Sequence, residues 1–317
     1  MTSADGTSVE TVLRDELARA DRALSSVAPV LGHILVNSGH ALVSDAVVAR
    51  VRGMLNDLAR QFAARLPVEG LAAEAETADP VDTLAQRFAQ DAPMLASLHA
   101  AAIEGILTER LEQRTGIDPV LSPLWQELIA STDPMTGEAA MQALAAQSRF
   151  MQSQRRMQIP ASDLAPETLE RALRIWARGM PLEQEPKATE AMGHFKADYD
   201  EAATRTGLLY RLTVRMGAGA IAALELEHSG LALFASALAH LSGQSRERAV
   251  LACFDRQSAR LALSLRAAGL DALGVERQFL TLGPGERLPR GLADLSTQSA
   301  RAMLQSSQLA VSEAGPR

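Results

Sequence analysis

The chain has 317 residues, 47% of them hydrophobic and 22% charged, only 3% aromatic, with a formal net charge of −7. Such a chain can bury a sizeable core and is not disordered throughout, and its acidic balance disfavours a general nucleic-acid binder. Scarce aromatics, with Ala and Leu leading the apolar residues, disfavour an all-β sandwich or barrel and favour helices packed through small side chains.

The first predicted helix carries Leu13, Leu17, Ala20, Leu24, Val27, Leu31 and Ile34 at alternating spacings of four and three. Pro29 lies inside that pattern and is expected to kink or split it. This stripe has coiled-coil-like spacing, so it is a candidate seam for a homo-oligomer. A second helix starts near Ser44 and places Val48, Val51, Leu55, Leu58 and Phe62 on one face. Residues 67–79 are acidic, lack an apolar period, and read as a linker.

Asp79-Pro80 is a helix-start signature ahead of Val81, Leu84 and Phe88, and a longer helix then carries Leu95, Leu98, Ala102 and Ile106. A short helix holds Leu121, Leu124, Trp125 and Leu128. Asp133-Pro134 opens a long Ala- and Gln-rich helix to about Met157, and Pro166 starts one with Leu169, Leu173 and Trp176 on a single face. Residues 180–189 read as a second boundary. Phe195, Tyr199, Ala202, Thr206 and Leu209 form one further stripe, and Leu231, Phe234, Leu238 and Leu241 another, closed by Ser242-Gly243. Ser245 caps a short helix to Phe254, and a helix from about Gln257 buries Leu261 and Leu265 before a left-handed cap at Gly269. Gly283-Pro284-Gly285 precedes a weaker terminal helix with Leu292, Leu295 and Met303, and a frayed tail.

Between Leu209 and Met216, apolar and polar residues alternate, a strand signal, yet Leu208, Leu212 and Met216 also align on a helix. With no second strand to pair with, helix is the preferred reading. The expected fold is all-α, an irregular multi-helix bundle or a HEAT-like stack of helix pairs. Its expected parts are a helical hairpin over 1–66, the linker, a central domain over 80–181, a C-terminal domain over 190–283, and a terminal helix and tail over 284–317.

Several constellations have spacings that chemistry could use. Gly217-Ala218-Gly219-Ala220-Ile221-Ala222 is a G-x-G-x-x-A, but the preceding segment carries Arg211 and Arg215 and no β-α repetition follows. Glu225 and His228 have the Glu-x-x-His spacing of di-iron bundles, which need two such pairs, and no second one exists in the chain. His33 and His40 lack nearby carboxylates. The single cysteine, Cys253, excludes a disulfide framework and reads as a small buried hydrophobe. No G-x-S-x-G, Walker or H-E-x-x-H motif occurs, so no cofactor, metal or catalytic set is expected and an enzyme is disfavoured.

Lys187 and Lys196 are the only lysines, so almost all positive charge is Arg, which reads as composition bias. Arg149, Arg155 and Arg156, with Gln147, Gln152, Gln154 and Gln158, form the one basic, amide-rich patch and the candidate interaction surface. Residues 231–256 outline two helices and a short turn, compatible with a helix-turn-helix, though the second helix is expected to expose Arg246, Glu247, Arg248 and Asp255, which are not a base-reading series. The polar start and the absence of a long apolar run lead us to expect a soluble, cytoplasmic protein without a membrane span.

The run Gly230-LALFASALAHLSGQSRERAVLACFDRQSARLALSLRAAGL-Asp271 resembles the end of an uncharacterised bacterial helical family, the domain of unknown function 2336. The stretch LSPLWQELIASTDPMTG…AAQSRFMQSQRRM, residues 121–157, is similar to that family as well. The resemblance implies an all-α, HEAT-like domain of unknown activity and supplies no catalytic residues. The combined expectation is a helical protein-protein interaction or regulatory adaptor. The alternatives are a DNA-binding regulator using 231–256 and an enzyme with a site near Gly217–His228.

Overall fold

The computed structural model describes residues 3–36, 44–65, 79–179, 185–254, 257–283, 288 and 291–313. The described residues form fourteen α-helices and short 3-10 turns, with no strand among them. The first seven are α1 (Ser3–Val36), α2 (Asp45–Ala63), α3 (Pro80–Ala89), α4 (Ala92–Thr115), α5 (Pro123–Ile129), α6 (Pro134–Arg155) and α7 (Pro166–Arg178). The rest are α8 (Glu185–Asp198), α9 (Arg205–Met216), α10 (Leu226–Ser242), α11 (Arg246–Ala252), α12 (Ser258–Ala267), α13 (Ala272–Leu282) and α14 (Thr297–Glu313). The linker read over 67–79 lies outside the described residues except for Asp79, as do 180–184, Pro284-Gly285, His40, the side chains of His33 and Ile34, and 314–317.

Helix starts follow the expected chemistry. The Asp79 carboxylate accepts the Val81 N–H at 2.9 Å, with Pro80 at the first helical position of α3. Asp133 accepts the Met135 N–H at 3.2 Å ahead of Pro134, and the Ser245 hydroxyl accepts the Arg248 N–H at 3.3 Å. Helix ends do likewise: Gly243 at φ 72° and Gly269 at φ 108° take the left-handed conformation that closes α10 and α12.

Three elements depart from expectation. The helix α1 runs unbroken through Pro29, which is exposed, so the Ser25 carbonyl left without its amide partner can be hydrated. The stripe from Phe195 to Leu209 is two helices rather than one. Asp200 accepts the Ala202 N–H at 2.9 Å to start a 3-10 turn, and the Thr204 hydroxyl accepts the Gly207 N–H at 3.0 Å to cap α9. These local caps override the apolar period. Finally, α13 was not anticipated: Asp271 caps it through the Gly274 N–H at 2.8 Å, and Val275, Phe279 and Leu282 are buried.

The helices group into two compact units, one made of Met1–Ser26, Ile103–Leu144 and Leu209–Arg317, the other of Val27–Ala102 and Ala145–Leu208. In the second, Phe62 of α2 stacks on Phe195 of α8 at 4.8 Å and meets Phe88 of α3 and Trp176 of α7 edge-on at 5.7 and 5.6 Å. Four sparse aromatics thus converge into one cluster, the geometry in which ring pairs attract beyond their area. In the first unit, α12 buries Ala259 through Leu265 without a polar face, and α10 is buried almost all round from Ser229 to Ala239. Leu13, Leu17 and Ala20 of the candidate oligomer stripe are buried in this unit and Leu31 in the other, while Leu24 and Val27 are part-exposed.

Candidate functional site

The segment 209–216 is the second part of α9, and Gly217–Leu224 continues it as a 3-10 helix. The G-x-G-x-x-A therefore does not follow a strand, and the strand-turn-helix that would aim amides at a pyrophosphate is not formed. Glu225 and His228 have separate partners: Glu225 pairs with Arg277 of α13 at 3.1 Å, and His228 Nε2 lies 2.9 Å from Glu127 of α5. The Leu226 N–H donates to Gln278 of α13 at 3.0 Å, so α13 ties this corner down. Among the described residues, no group of three or more His, Cys, Asp or Glu side chains is placed to hold a metal ion.

Two arginines turn inward, the half-buried Arg246, which the sequence places on an exposed helix face, and Arg260, which the sequence does not single out. Arg246, at the start of α11, holds Glu104 of α4 through two hydrogen bonds of 2.6 Å and donates from Nε to Ser236 at 3.0 Å. Desolvation opposes its charge, but Glu104 overcomes that and raises the guanidinium pKa further. The second helix of the helix-turn-helix outline is thus seven residues long and turns its first arginine inward instead of exposing it. Arg260 of α12 is fully buried, pairs with Asp21 of α1, and donates to Gln244 and Ser307, each at 3.3 Å. Desolvation pulls its pKa down to about 10, and its Nε has no hydrogen-bond partner among the described residues. Cys253 is buried and donates to the Ala249 carbonyl at 3.2 Å. Burial pushes its thiol up to about 12, with the Glu104 charge adding to the effect, which is the opposite of an activated nucleophile.

The long helix α6 sorts the predicted patch by its period. Gln147, Phe150, Met151 and Gln154, at i, i+3, i+4 and i+7, face inward, whereas Arg149, Gln152, Arg155 and Arg156 are exposed. The patch is therefore basic rather than amide-rich: Gln147 accepts from Arg205 at 2.9 Å and Gln154 donates to Met54 Sδ at 3.4 Å. Arg205 itself lies over the Phe150 ring at 3.6 Å, a cation–π contact inside the unit. Arg149 and Arg156 have no carboxylate partner among the described residues.

The turn that follows α6 closes at Met157, which has φ 56° and is the one non-glycine residue with positive φ among the described residues. The Gln158 N–H donates to Ser153 O at 2.8 Å and the Met157 N–H to Gln154 O at 3.0 Å, a closing turn that glycine normally supplies. A side chain there costs about 1–2 kcal/mol. Gly53 of α2 lies against it: a Cβ at position 53 would sit 2.5 Å from Met157 Cβ and 2.7 Å from its carbonyl oxygen. Met157 nevertheless remains 41% exposed. Sequence reading found the arginines but not this turn, because a methionine in a helix-compatible run carries no turn signal.

No helix among the described residues is long and apolar enough to cross a membrane. No protein-family model, curated protein or solved structure matches the chain.

Proposed function

We propose that the chain is a non-catalytic helical interaction protein, a regulatory adaptor working in the cytoplasm, that engages a protein partner through the outer face of α6. The observation behind this reading is the division of labour on that helix. Its inward residues are committed to Arg205 and Met54, while Arg149 and Arg156 face solvent without carboxylate partners among the described residues. Elsewhere, the side chains that could do chemistry are used to hold helices together: Arg246 with Glu104, Arg260 with Asp21, His228 with Glu127. We further propose a relationship to the domain of unknown function 2336 through 121–157 and 230–271, the first of which contains α6.

The test is quantitative pull-down from the native cell extract with the full chain and its Arg149→Glu/Arg156→Glu variant. Thermal melts first establish that both remain folded. At least one protein recovered by the wild type is expected to fall about tenfold or more with the variant, the size of effect that losing interfacial charges produces. Identical recoveries would remove this surface from the function.

A further inference from the structure

Resting on that reading, we infer that Met157 is the apolar anchor of the α6 surface and that the surface takes an acidic amphipathic segment of a partner protein. The backbone at Met157 is in a conformation that glycine adopts freely and methionine does not, and such outliers persist only where the surroundings impose them. Here the imposition is visible: Gly53 has no side chain at the one place where Met157 Cβ and its carbonyl need the room. The outcome of this arrangement is a long, flexible apolar side chain displayed at the surface, directly after the exposed Arg155 and Arg156. Arg52, next to Gly53 in sequence, is exposed as well.

Charge complementarity selects an acidic partner, and the methionine selects one that brings apolar groups among its carboxylates. Methionine adapts its shape to varied apolar surfaces, which suits a helix seam. Nucleic acid fits less well, because base stacking needs exposed rings. In this unit Phe62, Phe88, Trp176 and Phe195 are packed on one another, Phe150 lies under Arg205, and the Tyr199 hydroxyl is bonded to the Leu164 carbonyl.

The test is fluorescence anisotropy on the full chain with three labelled probes of equal charge. One is an acidic peptide with Leu at helical spacing among Glu, one is polyglutamate, and one is a single-stranded DNA oligonucleotide. The amphipathic peptide is expected to bind about tenfold more tightly than polyglutamate, as one buried apolar anchor would give. Met157→Ala abolishes that preference while leaving polyglutamate binding unchanged, Met157→Leu retains it, and Arg149→Glu/Arg156→Glu weakens both acidic probes. Equal binding of peptide and polyglutamate by the wild type, or a preference that survives Met157→Ala, overturns the anchor while leaving the basic surface standing. Tightest binding of the oligonucleotide overturns the protein partner. If no probe binds in a charge-dependent way, both this inference and the function proposed above fall.

Discussion

The pair between Glu104 and Arg246 offers the sharpest prediction about stability. Glu104 is 2% exposed, and both of its carboxylate oxygens are held by one guanidinium at 2.6 Å. Replacing either residue alone by methionine strands the other's charge in a dry interior, which costs about 3–5 kcal/mol. At about 2–4 °C per kcal/mol for a unit of 150–250 residues, the melting temperature falls by about 6–20 °C. The double variant, Glu104→Met/Arg246→Met, removes both charges and both desolvation penalties, so it is expected within about 1 kcal/mol of the wild type or above it. The Ser236 hydroxyl loses a donor in the double variant but keeps its own bond to the Ala232 carbonyl at 2.8 Å. Denaturant melts of the four proteins form a double-mutant cycle. Singles whose costs simply add in the double, with coupling below about 0.5 kcal/mol, would refute the argument.

Three further outcomes follow from the same physics. Burial lowers the pKa of His99 to about 4 from 6.5, so the unfolded chain takes up a proton that the folded chain refuses between those values. Stability from this site is therefore complete above pH 6.5 and lost as pH falls toward 4, at up to about 1.4 kcal/mol per pH unit. Urea midpoints at pH 7 and 5 should show the drop in wild type and a smaller one in His99→Leu; equal drops would exclude His99 as the cause. The Cys253 thiol, pushed up to about 12, should react negligibly with a disulfide reagent at pH 8 in the folded chain and rapidly in denaturant. Complete labelling of the native protein within minutes would contradict its burial. Gly230 breaks α10 at φ 68°, ψ 165°, a region open only to glycine, so Gly230→Ala should cost about 1–3 kcal/mol. Gly243→Ala, at φ 72° and with nothing within 4 Å of the new Cβ, serves as the milder comparison, and equal costs at the two positions would refute the distinction.

The helix punctuation was legible because it is local. A carboxylate or hydroxyl followed by proline or by an apolar period reports a start within four residues, as at Asp79, Asp133 and Ser245. Glycine before an apolar residue reports an end, as at Gly269. The same local chemistry misleads when a stripe runs across it: Asp200 and Thr204 divide what periodicity joined. The helix α13 had both a cap at Asp271 and an apolar face through Val275, Phe279 and Leu282, so its signal was present but short. All-round burial of α10 and α12 was less accessible, since a helix without a polar face has no stripe to detect.

The arginines show why a candidate site is harder to read than a fold. In sequence, the scarcity of lysine looks like composition bias, and every arginine looks alike. In the structure they divide by partner. Arg246 grips Glu104 across 142 residues, Arg171 takes both oxygens of Asp91 at 2.9 Å, and Arg205 lies over the Phe150 ring. At Asp91, burial would raise the carboxyl pKa, yet the Arg171 and Met94 hydrogen bonds hold it below its usual value. Each of these roles needs a planar fork or a planar cation, and an ammonium group supplies neither. Lysine at 246 could not match both oxygens of the buried Glu104 carboxylate with one planar fork. The preference for arginine is thus put to use by the interior of this protein, whatever its origin. Arg246, Arg171 and Arg205 each have a carboxylate or a ring in place, whereas Arg149 and Arg156 have no carboxylate among the described residues and share the end of α6 with the exposed Met157. That contrast, which the bare charge count conceals, is what directs attention to the end of α6.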